Sequence, residues 1–510
     1  MASQPQKVTP DQASTLKSPE ASVDSSSAHA PDAVRSRKAR TALVVGGGVS
    51  GLLAARELAD RGLRVVLTES RDHFGGAVGA HQVAGTVLDS GAESYATRNA
   101  SVAELIDDLG LGEARTTPSR AGSWLYLPSG PIPMPSSGIL GIPANPQDSD
   151  LRPALTAAGQ RRAAMDRYLP SSVGAHQKTL GGLVKARMGQ HVVDGLVAPV
   201  TMGIHSTHPN ELDVDAVAPG LREGIRTYGS LGASAAVLRA NSPAGSQVAG
   251  LVGGMNQLSE ALVNDLTRRG VRLLAGCDVI AVDRDEVTQN WIAIRRQEGS
   301  AGKRAALTAD VLVLATDGPT TVRLLGPHLD SDLLPEVRRG PEIALVTLVL
   351  DAPALDSAPR GTGVLVSDRV RTVRAKALTH MTAKWQWIAD RVGEHRHILR
   401  LSYGRGPTSQ GQSITELTLS DEQLMSLALH DASRIMGTSL SRKYLQGADV
   451  VRWKTAMPQV SIGHAQKVKA FRQNLTKLSR VASVGAWLSG TGLASLVPDT
   501  RETIADLDLG

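Results

Sequence analysis

Residues 41–70, TALVVGGGVSGLLAARELADRGLRVVLTES, constrain this chain more than any other stretch. An apolar run ends in a glycine turn, a helical pattern follows, and a second apolar run ends in the acid Glu69. Gly46, Gly48 and Gly51 fit G-x-G-x-x-G, and Glu69 stands eighteen residues after Gly51. Each part has a physical task in a dinucleotide-binding βαβ unit. Gly46 permits the tight turn, Gly48 lets a pyrophosphate approach the backbone, and Gly51 lets helix and strand pack closely. The helix beginning near Val49 and Ser50 offers free N–H groups and a positive dipole end to phosphates. Glu69 accepts hydrogen bonds from a ribose hydroxyl, with Ser70 beside it. A second glycine pair, Gly75–Gly76, follows closely and by itself marks only a turn.

With 510 residues the chain exceeds one compact core, so two or three domains are expected. Aromatic residues make up only 3%, which leaves Leu, Val, Ile and Ala to build the interior. The single cysteine, Cys277, excludes an internal disulfide and argues against a Cys-based metal site, so no metal is expected. A reducing cytoplasm fits that count. The net charge of +6 is scattered, without a dense Lys/Arg run interleaved with aromatics. Nucleic-acid binding is therefore not expected, whereas an anionic small molecule would suit the balance. The longest apolar runs, such as 311–316 and 344–350, are strand-sized and far below the roughly 20 residues of a membrane span. Residues 1–40 are rich in Ser, Ala and Pro, lack an apolar h-region and carry Asp11, Glu20, Asp24 and Asp32. They read as a disordered tail rather than a targeting segment, and Arg35, Arg37, Lys38 and Arg40 as a solvated flank.

Further along, 101–110 has helical apolar spacing through Leu105, Ile106 and Leu109. The proline-rich stretch 127–146 cannot be a regular helix or a central strand. Residues 179–199 read as helices, so a mainly helical unit is expected over 101–245. The segment 250–285 reads as turn, amphipathic helix and short strands, with Leu258, Leu262 and Leu266 on one helix face. Residues 306–319 read as one buried strand ending at Ala315 and Thr316. Between 331 and 445, strands at EIALVTLVLD, 364–366 and HILRLSYGRG precede a helix capped by Ser420 with Gln423 three residues on. An antiparallel sheet layered on helices is expected there. The last segment, 480–504, reads as strand, glycine turn (Gly485, Gly490, Gly492) and a helix from about Leu493, aimed N-terminus first at that turn.

Taken together, these motifs resemble the protoporphyrinogen/coproporphyrinogen oxidase family, within the flavoprotein amine-oxidase superfamily. Four stretches carry the resemblance across about 41–505: the glycine motif with the Gly75–Gly76 loop; LDSGAESYATRN, 88–99; LVGGMNQLSEAL, 251–262; and RWKTAMPQVSIGHAQKV, 452–468, with Trp453, Ala456, Pro458 and Gly463–His464 in the family order. The insertion containing LVAPVTMGIHSTHPNEL is also similar. There are departures: Ala77 and Val78 stand where the family carries a basic residue after the glycine pair, Glu93 follows Gly91–Ala92, and the family's Gly-Ile-Pro is Gly492–Leu493–Ala494.

The resemblance implies an α/β fold: a Rossmann-type FAD-binding domain formed by 41–100, 246–330 and 446–510, interrupted by the helical insertion 101–245, with an α+β substrate domain at 331–445. It implies non-covalent FAD contacted by Gly46, Gly48, Val49, Ser50, Gly51, Glu69, Ser70, Gly75, Gly76, Gly91, Ala92, Val279, Ala315, Thr316, Trp453, Gly485, Gly490, Gly492 and Leu493. It implies a six-electron porphyrinogen oxidation in three two-electron steps, each passing hydride from a meso carbon to flavin N5, with O₂ as acceptor and H₂O₂ as product. The flavin carries the chemistry, so no catalytic side chain is assigned. His205, His208, His380 and His464 are read as structural. The substrate, a flat apolar disc with carboxylate rims, needs an apolar slot with a few cations, and Arg98 is the candidate by motif position. Without a membrane segment, the family pattern favours coproporphyrinogen III over protoporphyrinogen IX. It also leaves at most peripheral membrane contact and a hand-off of product to a haem-pathway enzyme such as a ferrochelatase. An amine oxidase, a carotenoid desaturase and a non-catalytic flavin-binding partner are the competing readings.

Overall fold

A computed structural model describes residues 40–135, 137–240, 248–296, 304–337, 339–405, 415–455, 458 and 462–509. The expected tail, apart from Arg40, and Ala456 lie outside the described residues.

Five strands form one parallel sheet, in the order Arg272–Leu274, Arg64–Thr68, Thr41–Val45, Val311–Leu314, Val481–Ser483. Parallel strands are covered on both faces, so their sequences are continuously apolar. Alternation still assigns the faces. Ala42, Val44, Val311 and Val313 point into a core shared with the helices Val49–Asp60, Asn256–Arg268 and Leu493–Ala505. Leu43, Val45, Leu312 and Leu314 point into a second core, roofed by the antiparallel strands Val279–Arg284, Trp291–Arg296 and Arg304–Ala309. The expected single strand over 306–319 is in fact two. The chain breaks at Asp310, whose carboxylate accepts from Thr41 N–H (2.8 Å) and Thr41 Oγ1 (2.7 Å), and the strands on either side join different sheets.

A seven-stranded sheet follows the order Leu445–Trp453, Ile343–Asp351, Arg396–Tyr403, Ala377–His380, Gly363–Val366, Trp124–Leu127, Gly130–Pro133. One face packs on the helix Asp421–Met436, which starts with the expected capping box of Ser420 and Gln423. The other face turns toward the parallel sheet and the helical unit.

Two members of this sheet come from outside 331–445. The hairpin Trp124–Pro133 extends it, with Pro131 and Pro133 on its edge strand, where a missing N–H breaks no inner ladder. The strand Leu445–Trp453 pairs along its length with Ile343–Asp351 and so carries Trp453 across toward the glycine loops.

The helical unit buries its own core of Leu183, Val184, Met188, Val192, Val193 and Leu196 among others, and includes a π-helical turn at Val193–Val197. Its fastening is ionic. Arg187, fully buried, donates to Asp166 Oδ1 (2.5 Å) and to the carbonyls of Asp166 (3.0 Å) and Pro170 (3.0 Å). Asp166 Oδ2 in turn accepts from Gly232 N–H (2.9 Å). Removing one member of such a pair strands the other charge in the interior. Arg187→Ala is therefore expected to cost about 3–5 kcal/mol, read by chemical denaturation, and a second change, Asp166→Ala, should restore part of it. A loss below about 1 kcal/mol would mean that the pair does not fasten the unit.

Candidate functional site

The C-terminal ends of the parallel strands gather the glycines into one cradle, at the position where open α/β sheets bind ligands. Two glycines are there because the protein itself leaves no room. A Cβ on Gly51 would stand 1.8 Å from Gly46 O, and one on Gly46, whose φ is +109°, would stand 2.6 Å from Ala315 O. The turn, the first helix and the end of the strand Val311–Leu314 are pressed together there. Gly48 is different. Its backbone is ordinary (φ −71°, ψ 176°) and a Cβ there would meet nothing within 4 Å. Gly48 is the N-cap of the helix Val49–Asp60, which has no side-chain cap. Val49 and Ser50 thus present uncapped backbone N–H groups there.

Glu69 closes the next edge. Its carboxylate accepts from Gly47 N–H (2.7 Å), Arg71 N–H (2.9 Å) and the neighbouring Ser70 Oγ (3.0 Å). Gly75 N–H donates to Gly47 O (2.8 Å), and a Cβ on Gly76 would stand 3.1 Å from Gly48 Cα, so the second glycine pair lies directly against the first loop. On the far side of Glu69, Cys277 N–H donates to Glu69 O (2.7 Å), and buried Val279 begins the next strand two residues on. Thr316 Oγ1 meets Thr321 Oγ1 at 2.9 Å just after Ala315. Gly485 lies near Thr316 O, whereas Gly490 and Gly492, both with positive φ, have open space where a Cβ would be. Leu493 starts the last helix behind Gly492, again without a side-chain cap.

A third loop joins the cradle. Ala92 N–H donates to Ala77 O (2.8 Å), and a Cβ on Gly91 would stand 2.3 Å from the same oxygen. Trp453 Nε1 donates to Ser90 O (3.1 Å), and its ring stacks under Arg71 at 4.9 Å. Backbone contacts thus join the loops at Gly46–Gly48, Gly75–Val78 and Gly91–Ala92 to one another. Arg98 is exposed and its guanidinium reaches Ser495 Oγ in the first turn of the last helix.

The sequence reading missed the residues that set the third loop. Asp89 accepts from Met255 N–H (3.0 Å), Asn256 N–H (2.9 Å) and Asn256 Nδ2 (3.0 Å). It caps the helix Asn256–Arg268 from a distant strand, which gives LVGGMNQL a structural reason. Burial pushes the Asp89 carboxyl above its usual range despite those donors. Arg400 donates to Asp89 O (3.1 Å) and Gly91 O (3.2 Å) and pairs with Glu93 (2.6 Å), which also pairs with Lys384. Burial opposes charge on Glu93, but Arg400 and Lys384 override it and hold the carboxyl at about 2. Nothing local announced Arg400, a single arginine inside an alternating strand.

The histidines are structural in their contacts. His380 lies against His397 (3.1 Å) and burial, then His397, lower it to about 3. His464 Nε2 meets Trp487 O (2.8 Å), and burial lowers both His464 and His205. Among the described residues no group of three or more His, Cys, Asp or Glu could hold a metal, and no helix is long and apolar enough to cross a membrane.

With this geometry in hand, the chain can be set beside known proteins. A family model described as flavin containing amine oxidoreductase matches residues 49–503. The coproporphyrinogen III oxidase of Propionibacterium freudenreichii subsp. freudenreichii is 27% identical over 500 residues, covering 90% of this chain and 89% of that protein. The coproporphyrinogen III oxidase of Bacillus subtilis (strain 168) is 24% identical over 474 residues, covering 91% and 97%. A solved structure from Exiguobacterium sp. 255-15, assigned as a protoporphyrinogen oxidase, is 25% identical with a TM-score of 0.78, covering 92% of this chain and 98% of that one. The chain belongs to the flavin containing amine oxidoreductase family.

Proposed function

We propose that this protein oxidises coproporphyrinogen III to coproporphyrin III in haem biosynthesis, using non-covalent FAD, with O₂ as acceptor and H₂O₂ as product. The observation that carries the reading is its end-to-end similarity to coproporphyrinogen III oxidases of different bacteria. One observation favours protoporphyrinogen IX as the alternative substrate, namely the likeness to the Exiguobacterium structure.

The cradle fits FAD on its own chemistry. Gly48, Gly490 and Gly492 leave open the space that a pyrophosphate and a ring system would fill. Two uncapped helix N-termini, at Val49 and Leu493, converge on it and favour bound anionic groups. Glu69 would take the adenosine ribose, with Ser70 and Val279 at that end. Gly46, Ser50, Gly51, Gly75 and Gly76 would line the pyrophosphate, and Gly91, Ala92, Ala315, Thr316, Trp453 and Gly485 the isoalloxazine side. Non-covalent attachment is supported by the position of the only cysteine: Cys277 runs beside Glu69, at the nucleotide end of the site. When bound, FAD supplies the redox chemistry.

The protein's own contribution is orientation and charge. Trp453 and the Arg400–Glu93–Lys384 network fix the loop 89–93 from the substrate side. Glu93, ionised throughout the neutral range, is the counter-ion of two cations rather than a proton donor. Arg98 would meet a carboxylate side arm at the outer rim.

Two experiments test this reading. The Cβ of Gly48→Val meets nothing within 4 Å, so the fold should persist while FAD affinity falls at least about 100-fold, roughly 2.7 kcal/mol. Gly51→Val, by contrast, should unfold the nucleotide-binding half. Flavin absorbance after gel filtration, paired with circular dichroism, separates the two outcomes, and retention of FAD by Gly48→Val would refute the cradle. For the reaction, porphyrin fluorescence is followed in air after mixing FAD-loaded protein with either porphyrinogen. Faster growth with coproporphyrinogen III is expected. A preference for protoporphyrinogen IX reverses the substrate, and rates no higher than autoxidation for both overturn the porphyrinogen reading.

A further inference from the structure

One charged cluster lies outside every contact described so far. Lys376 is 3% exposed. Its backbone leads into the strand Ala377–His380, donating from N–H to Ser402 O (2.8 Å) and accepting at O from Val366 N–H (2.9 Å). Its amine meets Ser206 Oγ, a hydroxyl itself 1% exposed at the end of the helix Ala198–His205. Beside it is Arg405, whose Nη2 donates to Val366 O (3.2 Å) and Ala375 O (3.0 Å) and whose buried Nε has no hydrogen-bond partner among the described residues.

Among the described residues no carboxylate is hydrogen-bonded to either cation. The acids nearest Arg405 include Asp368, Glu416 and Asp431. Glu416 is paired with Arg374, and Asp431 accepts from Arg374 N–H, Ala375 N–H and Tyr403 OH. None of these acids acts on Lys376, whose amine is lowered to about 7 by burial and then by Arg405. The acids around Arg405 act on it through space only, and a buried amine beside that guanidinium with no acid of its own is unfavourable, a cost that a bound carboxylate would offset with charge-assisted hydrogen bonds.

The cluster's position says which carboxylate could reach it. On the same strand, Thr379 stands opposite Arg400, the residue bonded to Gly91 O. Lys376 is three residues from Thr379, on the order of 10 Å at about 3.3 Å per residue. From the other side, the helix end that carries Ser206 presses on the sheet: a Cβ on Gly203 would stand 2.7 Å from Leu365 Cδ2. Ile204, half exposed, adds apolar surface beside it. The amine therefore lies where the end of the helix Ala198–His205 meets the sheet, three residues along the chain from the Thr379–Arg400 pair that reaches the loop 89–93.

We propose that Lys376, with Arg405 and Ser206, forms a carboxylate-binding subsite that grips one acidic side arm of the tetrapyrrole where the helical unit meets the seven-stranded sheet. This inference rests on the porphyrinogen reading above, and the test separates the two.

Coproporphyrin III and its tetramethyl ester are titrated into the flavin-loaded protein, with binding read from porphyrin absorbance. Wild type should prefer the acid. Lys376→Met should weaken acid binding about tenfold or more and leave ester binding and flavin content unchanged, and Lys376→Arg should restore most of the acid affinity. Methionine keeps the length of the side chain, and the amine it removes is bonded to a hydroxyl rather than to a carboxylate, so no counter-charge is stranded and the fold should persist. A wild-type measurement guards against any folding defect: calorimetry at pH 8 in buffers of different ionisation enthalpy should show proton uptake with the acid. Uptake follows because a carboxylate beside the amine raises a pKa that lies near 7 in the free protein. An unchanged acid preference in Lys376→Met, or no proton uptake, overturns the subsite while the functional reading stands. Failure of wild type to bind either porphyrin overturns both.

Discussion

The nucleotide-binding half depends on a missing side chain. Gly51 sits where a Cβ would stand 1.8 Å from Gly46 O and 3.2 Å from Ala315 Cβ. That contact lets the first helix lie against the ends of two neighbouring strands. Its consequences propagate outward. The helix N-terminus is fixed beside Gly48, Gly47 N–H is brought to Glu69, and Gly47 O receives Gly75 N–H. The two glycine loops are then held by backbone bonds that no side-chain rotamer can loosen. Helix, strand order and phosphate cradle follow from one steric condition, and it must be met before any cofactor binds.

The second constraint joins the nucleotide half to the seven-stranded sheet, and it is electrostatic. Asp89 ends one strand, caps a helix formed more than 160 residues later, and offers its carbonyl to Arg400 on the sheet. Arg400 is balanced by Glu93, and Glu93 also by Lys384. A buried carboxylate flanked by two cations is costly to assemble, because desolvation opposes every member. Its geometric return is specificity of placement. Residues 90–93 have no regular structure of their own, yet Arg400 from the seven-stranded sheet, Lys384 from a short helix beside it and the indole of Trp453 fix where the loop lies.

The sequence made the parallel sheet and the cradle legible because they rest on local rules. Glycine spacing, apolar runs and an acid at a strand end each act within about thirty residues. The capping box at Ser420 and the leucine face at 258, 262 and 266 were readable for the same reason. What could not be read was non-local. The hairpin Trp124–Pro133 sits in a stretch dominated by prolines, and its membership of the large sheet is decided by pairing with Gly363–Val366 some 240 residues away. The break at Asp310 depends on Thr41, and Arg400 on loops at 89–93. Such contacts leave no period in the sequence, since a strand residue reads the same whether its partner is solvent or a distant carbonyl.

Charge completes the argument about the cleft. Two basic clusters on the seven-stranded sheet and the helix beside it are built on opposite principles. At Arg400 and Lys384 the cations are neutralised inside the protein by Glu93, so their place is fixed and they have little to offer a ligand. At Lys376 and Arg405 the hydrogen-bond partners are a hydroxyl and two backbone carbonyls, and the acids Asp368, Glu416 and Asp431 act on Arg405 through space without reaching Lys376. Neutral acceptors satisfy hydrogen bonds without offsetting the self-energy of a buried ion. In a chain with a net charge of +6 and acids enough to pair elsewhere, an unbalanced cation at the junction of helical unit and sheet marks where the protein leaves the counter-charge to something that arrives from outside.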